Sequence, residues 1–297
     1  MTSVTPVLLV HGGAGNPLGG TVDDERAVHD ALRDALLTGY ELLAGGAAAL
    51  DAAEATVRSL EDCPLFNAGR GSVLNAEGHV EMDAAVMDGA TRQAGACAGV
   101  TGVRHPIALA RAIMEKTPHV LLVGEGAGRY AADAGLDFED PEWFVTERER
   151  SRGGGTAAAE SGHGTVGAVA LDANGRLAAA TSTGGVRGQL HGRVGDTPVI
   201  GAGTWADAHV AVSCTGTGEQ FIQAATAHEL SAQVRLSGAT VRDAAVSVVR
   251  GLDGGFIAVG SDGSWAMPFN TALMYRGRAS GGSVQTWIWN EEEENDG

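Results

Sequence analysis

At 297 residues the chain is long enough for a substantial core, as one large domain or two, and 45 glycines with only 5% aromatic residues point to tight backbone packing. A formal net charge of −17 speaks against nucleic acid and anionic membrane as partners, because both reward clustered lysine and arginine. Cys63, Cys97 and Cys214 are odd in number and show no CxxC spacing, which excludes a disulfide framework and a cysteine zinc site and leaves buried free thiols. The first residues lack a basic segment and Val7-Leu8-Leu9-Val10 is too short for a signal or a span, so a cytoplasmic location is expected.

Residues 6–10 read as a central strand, followed by a turn, His11-Gly12-Gly13-Ala14-Gly15, whose glycines let a ligand or another backbone approach closely. An HGG turn also suits the oxyanion loop of an α/β-hydrolase, but that fold needs a G-x-S-x-G elbow and the sequence contains none. Residues 23–44 and 47–61 carry helical spacing, the first with acidic residues in its opening turn, where the helix dipole favours them. Residues 63–75 form a loop opened by proline and rich in glycine and asparagine. Such a loop often turns its carbonyls toward water or a hard cation, although Asn67 and Asn75 also fit as simple turn residues.

Residues 79–89 and 94–103 read as paired strands, and a helix starts at His105-Pro106 and runs to Lys116, with proline in the first turn where its missing N–H costs little. Gly124-Glu125-Gly126-Ala127-Gly128 lacks the G-x-G-x-x-G spacing and the acidic partner of a dinucleotide site. No P-loop is possible, since the sole lysine, Lys116, follows Glu115. Residues 146–163 then read as a flexible linker in mid-chain.

Thr165 follows that linker and Gly164 and opens the apolar run Val166-Gly167-Ala168-Val169-Ala170-Leu171. Behind a residue without a Cβ, its hydroxyl is placed to attack the Gly164 carbonyl and turn the amide into an ester. Hydrolysis of that ester frees an α-amine. A threonine hydroxyl is a poor nucleophile, but an α-amine titrating near ~7.7–8.0 is a base carried by the same residue. The competing reading is a plain strand threonine, since strands are rich in threonine.

A hairpin around Ala173-Asn174-Gly175 joins residues 165–171 to 176–181 and brings Thr183 beside Thr165. Arg193 and Asp196, set among glycines, read as exposed. They suit either a surface pair or a grip on a zwitterion, with guanidinium on carboxylate and aspartate on ammonium. Residues 199–205 and 209–214 pair as strands. The junction Thr215-Gly216-Thr217-Gly218-Glu219 presents N–H groups and a hydroxyl suited to an oxyanion. A helix over residues 219–234, another capped by Thr240, a hairpin around Ser261-Asp262-Gly263, strands near Met274 and Trp287, and an acidic tail from Glu291 complete the chain.

With these pieces in view, the sequence resembles the plant-type L-asparaginases and isoaspartyl peptidases of the N-terminal-nucleophile hydrolases. The resemblance runs nearly end to end, through His11-Gly12-Gly13-Ala14-Gly15, Pro64-Leu65-Phe66-Asn67-Ala68-Gly69, Met87-Asp88-Gly89, Gly164-Thr165-Val166-Gly167, Thr181-Ser182-Thr183-Gly184-Gly185, Gly192-Arg193-Val194-Gly195-Asp196 and Ser213-Cys214-Thr215-Gly216-Thr217-Gly218. It implies an α+β fold, a four-layer αββα sandwich formed by residues 1–297 as one domain, cut before Thr165 into chains 1–164 and 165–297 that assemble as an (αβ)2 dimer. It further implies Thr165 as nucleophile, Thr183 bonded to its hydroxyl, Asn67 as support, and Thr215 and Gly216 as oxyanion hole. Arg193, Asp196, Gly216 and Gly218 would bind a small amino-acid or dipeptide substrate. No cofactor is implied for catalysis. A structural Na+ would sit on the backbone carbonyls of Leu60, Glu61, Cys63, Phe66, Ala68 and Arg70. Gly188-Gln189 stands where the family commonly carries Asn-Lys, so the leaving-group side is expected to differ. Two alternatives remain at this point: a glycosylasparaginase, and an uncleaved aspartate- or asparagine-binding protein.

Overall fold

The computed structural model describes residues 4–16, 22, 24–151 and 164–290. In chain order the elements are β1 (Val7–Gly15), α1 (Glu25–Ala44), α2 (Ala49–Asp62), β2 (Met82–Asp88), β3 (Ala94–Val100), α3 (Pro106–Lys116), β4 (Leu121–Val123), α4 (Gly124–Asp133), α5 (Pro141–Phe144) and α6 (Glu147–Ser151). Beyond residue 164 come β5 (Val166–Leu171), β6 (Leu177–Thr183), β7 (Thr204–Ala206), β8 (Val210–Gly216), α7 (Gly218–Ala224), α8 (Thr226–Ala232), α9 (Val241–Val249), β9 (Gly254–Gly260), β10 (Trp265–Ala266), β11 (Leu273–Ser280) and β12 (Ser283–Trp287).

Two sheets face each other, one of eight strands in the order β12-β11-β1-β5-β6-β2-β3-β4 and one of four in the order β10-β9-β8-β7. Helices α1 to α3 cover the outer face of the large sheet and α7 to α9 that of the small one, giving an α+β fold of four layers, αββα. Strand alternation builds both cores. Val166, Ala168 and Ala170 of β5 point to the helices, where they meet Ala52, Ala53 and Val57 of α2. Val169 and Leu171 point the other way, toward Val212 and Ile257 of the small sheet. Helix α1 buries the stripe Val28, Leu32, Ala35, Leu36 and Leu43, and its N-cap Asp24 accepts the Ala27 N–H at 2.9 Å.

The glycine and alanine content is spent on close approach. A Cβ on Gly95 of β3 would lie 2.1 Å from the Ala110 carbonyl oxygen and 2.6 Å from the Met114 nitrogen of α3. No side chain fits there without moving the helix.

Several expected boundaries shift. The segment from His11 to Gly15 is strand rather than turn, because β11 pairs with β1 along its whole length and absorbs a bulge between His11 and Gly13. The helix expected over residues 219–234 breaks at Ala225, which adopts φ +47° and separates α7 from α8. The strand expected at 199–205 reduces to β7, and those at 79–89 and 94–103 shorten to β2 and β3. Residues 147–151 of the expected linker form α6, whose Glu149 is buried and paired with Arg187. Residues 152–163 of that linker and the acidic tail from Glu291 lie outside the described residues. Cys97 and Cys214 are buried, Cys63 is half-buried, and all three are free. Among the described residues, no helix is long and apolar enough to cross a membrane.

Gly95→Ala should lower stability by about 1–3 kcal/mol through overpacking of α3 on β3, read as a fall of several degrees in the thermal unfolding midpoint.

Candidate active site

In the hairpin of β5 and β6, Val166 lies opposite Ser182, so Thr165 and Thr183 stand across from each other one step further on. Both are buried, and the Thr165 hydroxyl donates to the Thr183 Oγ1 at 3.1 Å. The Thr183 hydroxyl in turn donates to the Gly164 carbonyl oxygen at 3.2 Å and accepts the Gly185 N–H at 3.0 Å. Asn67 reaches the same carbonyl. Its Nδ2 donates to Gly164 O and to Gly185 O, each at 2.7 Å, while its Oδ1 accepts the Val73 N–H at 2.9 Å. The carbonyl preceding Thr165 thus accepts from two donors, and any Cβ on Gly164 would fall 2.6 Å from that of Asn67. Asn75 has no part in this. It binds the Glu81 carboxylate at 2.7 Å and caps its own turn, as a turn residue does.

The carbonyl of Thr165 itself is held by a side chain that the sequence pattern did not single out. His11 Nδ1 lies 3.0 Å from Thr165 O, and Nε2 lies 2.8 Å from Ser213 Oγ. Complete burial pushes the imidazole pKa down to about 3, against the partial opposing effect of the bond to Thr165. The ring is therefore neutral. Since a carbonyl only accepts, the proton sits on Nδ1 and Nε2 accepts from Ser213. Beyond Ser213 the contacts continue to Thr181 at 2.7 Å and from there to Thr204 at 2.7 Å. The signal for these residues was present in strand alternation: Thr181 shares a face of β6 with Thr183, and Ser213 shares a face of β8 with Thr215. Gly167 makes the junction possible, because a Cβ there would lie 2.0 Å from Ser213 Oγ and 2.4 Å from His11 Nε2.

At the end of β8, Thr215 Oγ1 accepts the Ala14 N–H at 3.2 Å, which leaves its own proton to donate. Gly216 has φ +151°, and a Cβ on it would strike the Asp253 carbonyl at 2.3 Å, so this backbone turn is open only to glycine. Gly218, Arg193 and Asp196 converge. A Cβ on Gly218 would lie 2.9 Å from Arg193 Nη2 and 2.9 Å from Asp196 Oδ1. Contrary to the expectation of an exposed pair, Asp196 is buried, because the turn between Val199 and Thr204 folds over it and Gly203 donates to its backbone carbonyl at 3.1 Å. Its Oδ2 is buried with no hydrogen-bond partner among the described residues. Burial raises its pKa to about 7 despite the neighbouring Arg193 guanidinium, and nearby Asp83 is likewise raised by burial to about 6. A buried carboxyl whose Oδ1 faces a guanidinium across Gly218 is chemically suited to an ammonium, as the guanidinium is to a carboxylate, while Oδ2 lies toward Gly203.

The loop over residues 60–70 offers oxygen donors. The Leu60 carbonyl accepts from Cys63 N at 3.1 Å and that of Glu61 from Arg70 N at 2.7 Å. The Pro64 and Phe66 carbonyl oxygens crowd Gly71, at 3.0 and 2.5 Å from where its Cβ would be. The Leu60 and Glu61 carbonyls are thus engaged within the loop, each with a second lone pair left over. Among the described residues no group of three or more His, Cys, Asp or Glu side chains is arranged for a metal.

A four-layer αββα sandwich with a threonine at the head of a central strand is the architecture of the N-terminal-nucleophile hydrolases. A family model described as asparaginase matches residues 4–288. The isoaspartyl peptidase of Escherichia coli is 44% identical over 303 residues, covering 94% of each chain. The isoaspartyl peptidase/L-asparaginase of Homo sapiens is 41% identical over 301 residues, covering 96% of each. The chain belongs to the asparaginase family that this model describes.

With Asp196 taken as the seat of a ligand ammonium, which requires the ionised carboxylate, affinity for an α-amino acid should weaken as pH falls through about 7. The inhibition constant of L-aspartate, measured between pH 5 and 8, should rise about tenfold per pH unit on the acid side. Asp196→Asn should abolish that slope along with most of the affinity.

Proposed function

We propose that this chain is a threonine amidohydrolase that cuts itself between Gly164 and Thr165 and then hydrolyses the β-amide of L-asparagine and of β-aspartyl (isoaspartyl) dipeptides. The observation that carries this reading is the Gly164 carbonyl, which accepts from Asn67 Nδ2 and the Thr183 hydroxyl while the Thr165 hydroxyl sits 3.1 Å from Thr183 Oγ1. Two donors on that oxygen stabilise the charge that develops when Thr165 attacks the preceding carbon. The products are residues 1–164 and 165–297. The new α-amine of Thr165 then takes the proton of its own hydroxyl.

In the hydrolytic reaction Thr165 Oγ1 attacks the β-carbonyl of the substrate. The oxyanion is met by the Thr215 hydroxyl and the Gly216 N–H, and Thr183 steadies the nucleophile. Arg193 holds the α-carboxylate, and Asp196 the α-ammonium, over Gly218. Only an amide on the β-carbon leaves both of those groups free, which is why ordinary α-peptide bonds are not substrates. The Thr165 amine delivers the proton to the leaving ammonia or amino acid. Water attacks the β-aspartyl ester, and L-aspartate departs. The names of the relatives, isoaspartyl peptidase and isoaspartyl peptidase/L-asparaginase, support this substrate class.

No cofactor takes part. A sodium ion on the carbonyls of Leu60, Glu61, Cys63, Phe66, Ala68 and Arg70 would be structural, holding the loop that carries Asn67. The cleaved protomers pair as (αβ)2 in the cytoplasm.

Mass spectrometry of matured protein should give two fragments, the second beginning at Thr165. Thr165→Ala should remain one chain and lose at least about 10⁴-fold in turnover of L-asparagine and β-aspartyl-leucine. Turnover by an intact single chain would overturn the reading, and preferential release of N-acetylglucosaminyl-amine from glycosylated asparagine would replace it with a glycosylasparaginase.

A further inference from the structure

The guanidinium of Arg193 already has a carboxylate. Its Nε donates to Glu219 Oε1 and its Nη2 to Glu219 Oε2, both at 3.0 Å, which is the two-pronged geometry a guanidinium uses for a free carboxylate ligand. Nη2 is also the nitrogen that lies over Gly218, 2.9 Å from where a Cβ on that residue would be, with Asp196 Oδ1 at the same distance. The remaining contact, from Nη1 to Gln189 Oε1, is long at 3.4 Å. The two partners differ in environment. The Arg193 side chain is 17% exposed, whereas that of Glu219, the second residue of α7, is 57% exposed. A half-solvated carboxylate on a flexible stem is screened, and a ligand with two charged ends can displace it.

We propose that Glu219 is a specificity-determining residue that fills the ligand-carboxylate seat of Arg193, so that every substrate and product must displace it to bind. This rests on the reading of Arg193 as the carboxylate anchor. Glu219 then acts on binding and not on the chemical step. It weakens substrate and product alike, which raises KM and eases release of L-aspartate. It also penalises carboxylates that arrive without an ammonium for Asp196, because one charged contact alone does not repay the displaced pair.

The test uses the matured enzyme with Glu219→Gln. The KM for L-asparagine and the inhibition constant of L-aspartate should fall together by about two- to fivefold, the range expected for losing a half-exposed ionic competitor. Inhibition by 3-aminopropanamide, which keeps the amide and the ammonium but lacks the α-carboxylate, should not strengthen. A rise in KM and in the aspartate constant would mean that Glu219 braces Arg193, and would overturn the proposal. Unchanged constants would overturn it as well, as would equal strengthening of 3-aminopropanamide. Arg193→Ala separates the underlying reading: if that variant leaves both constants unmoved, the carboxylate anchor itself is misassigned, whatever Glu219→Gln does.

Discussion

The Gly164 carbonyl, held by Asn67 and Thr183, is the contact on which the rest of the site depends. Each hydrogen bond is worth only about 1 kcal/mol net, so its importance lies in position rather than stability. Thr183 is opposite Thr165 through sheet register, whereas Asn67 arrives from a loop 97 residues away in sequence. That loop is fixed from below by Glu61. Its buried carboxylate accepts from Ser182 at 2.6 Å and from Ile107 N at 3.0 Å, and its backbone carbonyl accepts from Arg70 N. Ser182 neighbours Thr183 on β6 but faces the opposite side of the sheet. One strand therefore anchors the loop through Ser182, and the residues just beyond its end, Gly184 and Gly185, bond to the loop's asparagine.

Between the two sheets the core is not uniformly apolar. His11, Ser213, Thr181 and Thr204 form a fully buried polar seam that begins at Thr165 O and ends at Thr197 O, 3.0 Å from Thr204 Oγ1. Both ends are carbonyls and can only accept. The seam has five contacts, but a neutral His11 and three hydroxyls supply about four protons between them. One contact is always without a hydrogen. A charged imidazole would fill all five, yet desolvation holds the ring neutral. The seam thus tolerates one unfilled contact more readily than a buried charge, and the filled end at Thr165 fixes the peptide plane that follows its side chain.

Much of the site was legible because it is local or follows strand alternation. The glycine before Thr165, the Asn-Gly hairpin that sets Thr183 opposite it, and the glycines around Arg193 all announce their geometry within a few residues. Helix starts were equally readable where a side chain caps them, as Thr240 does by accepting the Asp243 N–H at 3.1 Å. What escaped depends on distant partners. Strand β1 runs through its glycines because β11, more than 250 residues on, supplies the ladder. The break at Ala225 has no glycine to mark it. It is imposed by backbone bonds from Ala227 and His228 to the carbonyls of Ala202 and Gly201. The helix inside the expected linker owes its place to the pairing of Glu149 with Arg187, and the role of His11 to bonds spanning 154 and 202 residues.

The candidate anchor around Arg193 shows the same economy. Asp196 and Asp83 are both buried near a single guanidinium, and burial raises both carboxyls well above the ordinary range. In a protein selected only for stability such a carboxyl would be paired or replaced, since an unmet buried oxygen is costly. Here Asp83 is satisfied by the N–H groups of Gly99 at 2.8 Å and Gly195 at 3.4 Å, so it fixes the backbone that carries Asp196. Asp196 Oδ2 remains unmet. That oxygen lies toward Gly203, whereas Oδ1 faces Gly218 and the Arg193 guanidinium. The carboxyl that keeps an unmet oxygen therefore stands beside a guanidinium whose own partner, Glu219, is the exposed member of its pair, so the two buried groups are matched only from the solvent side.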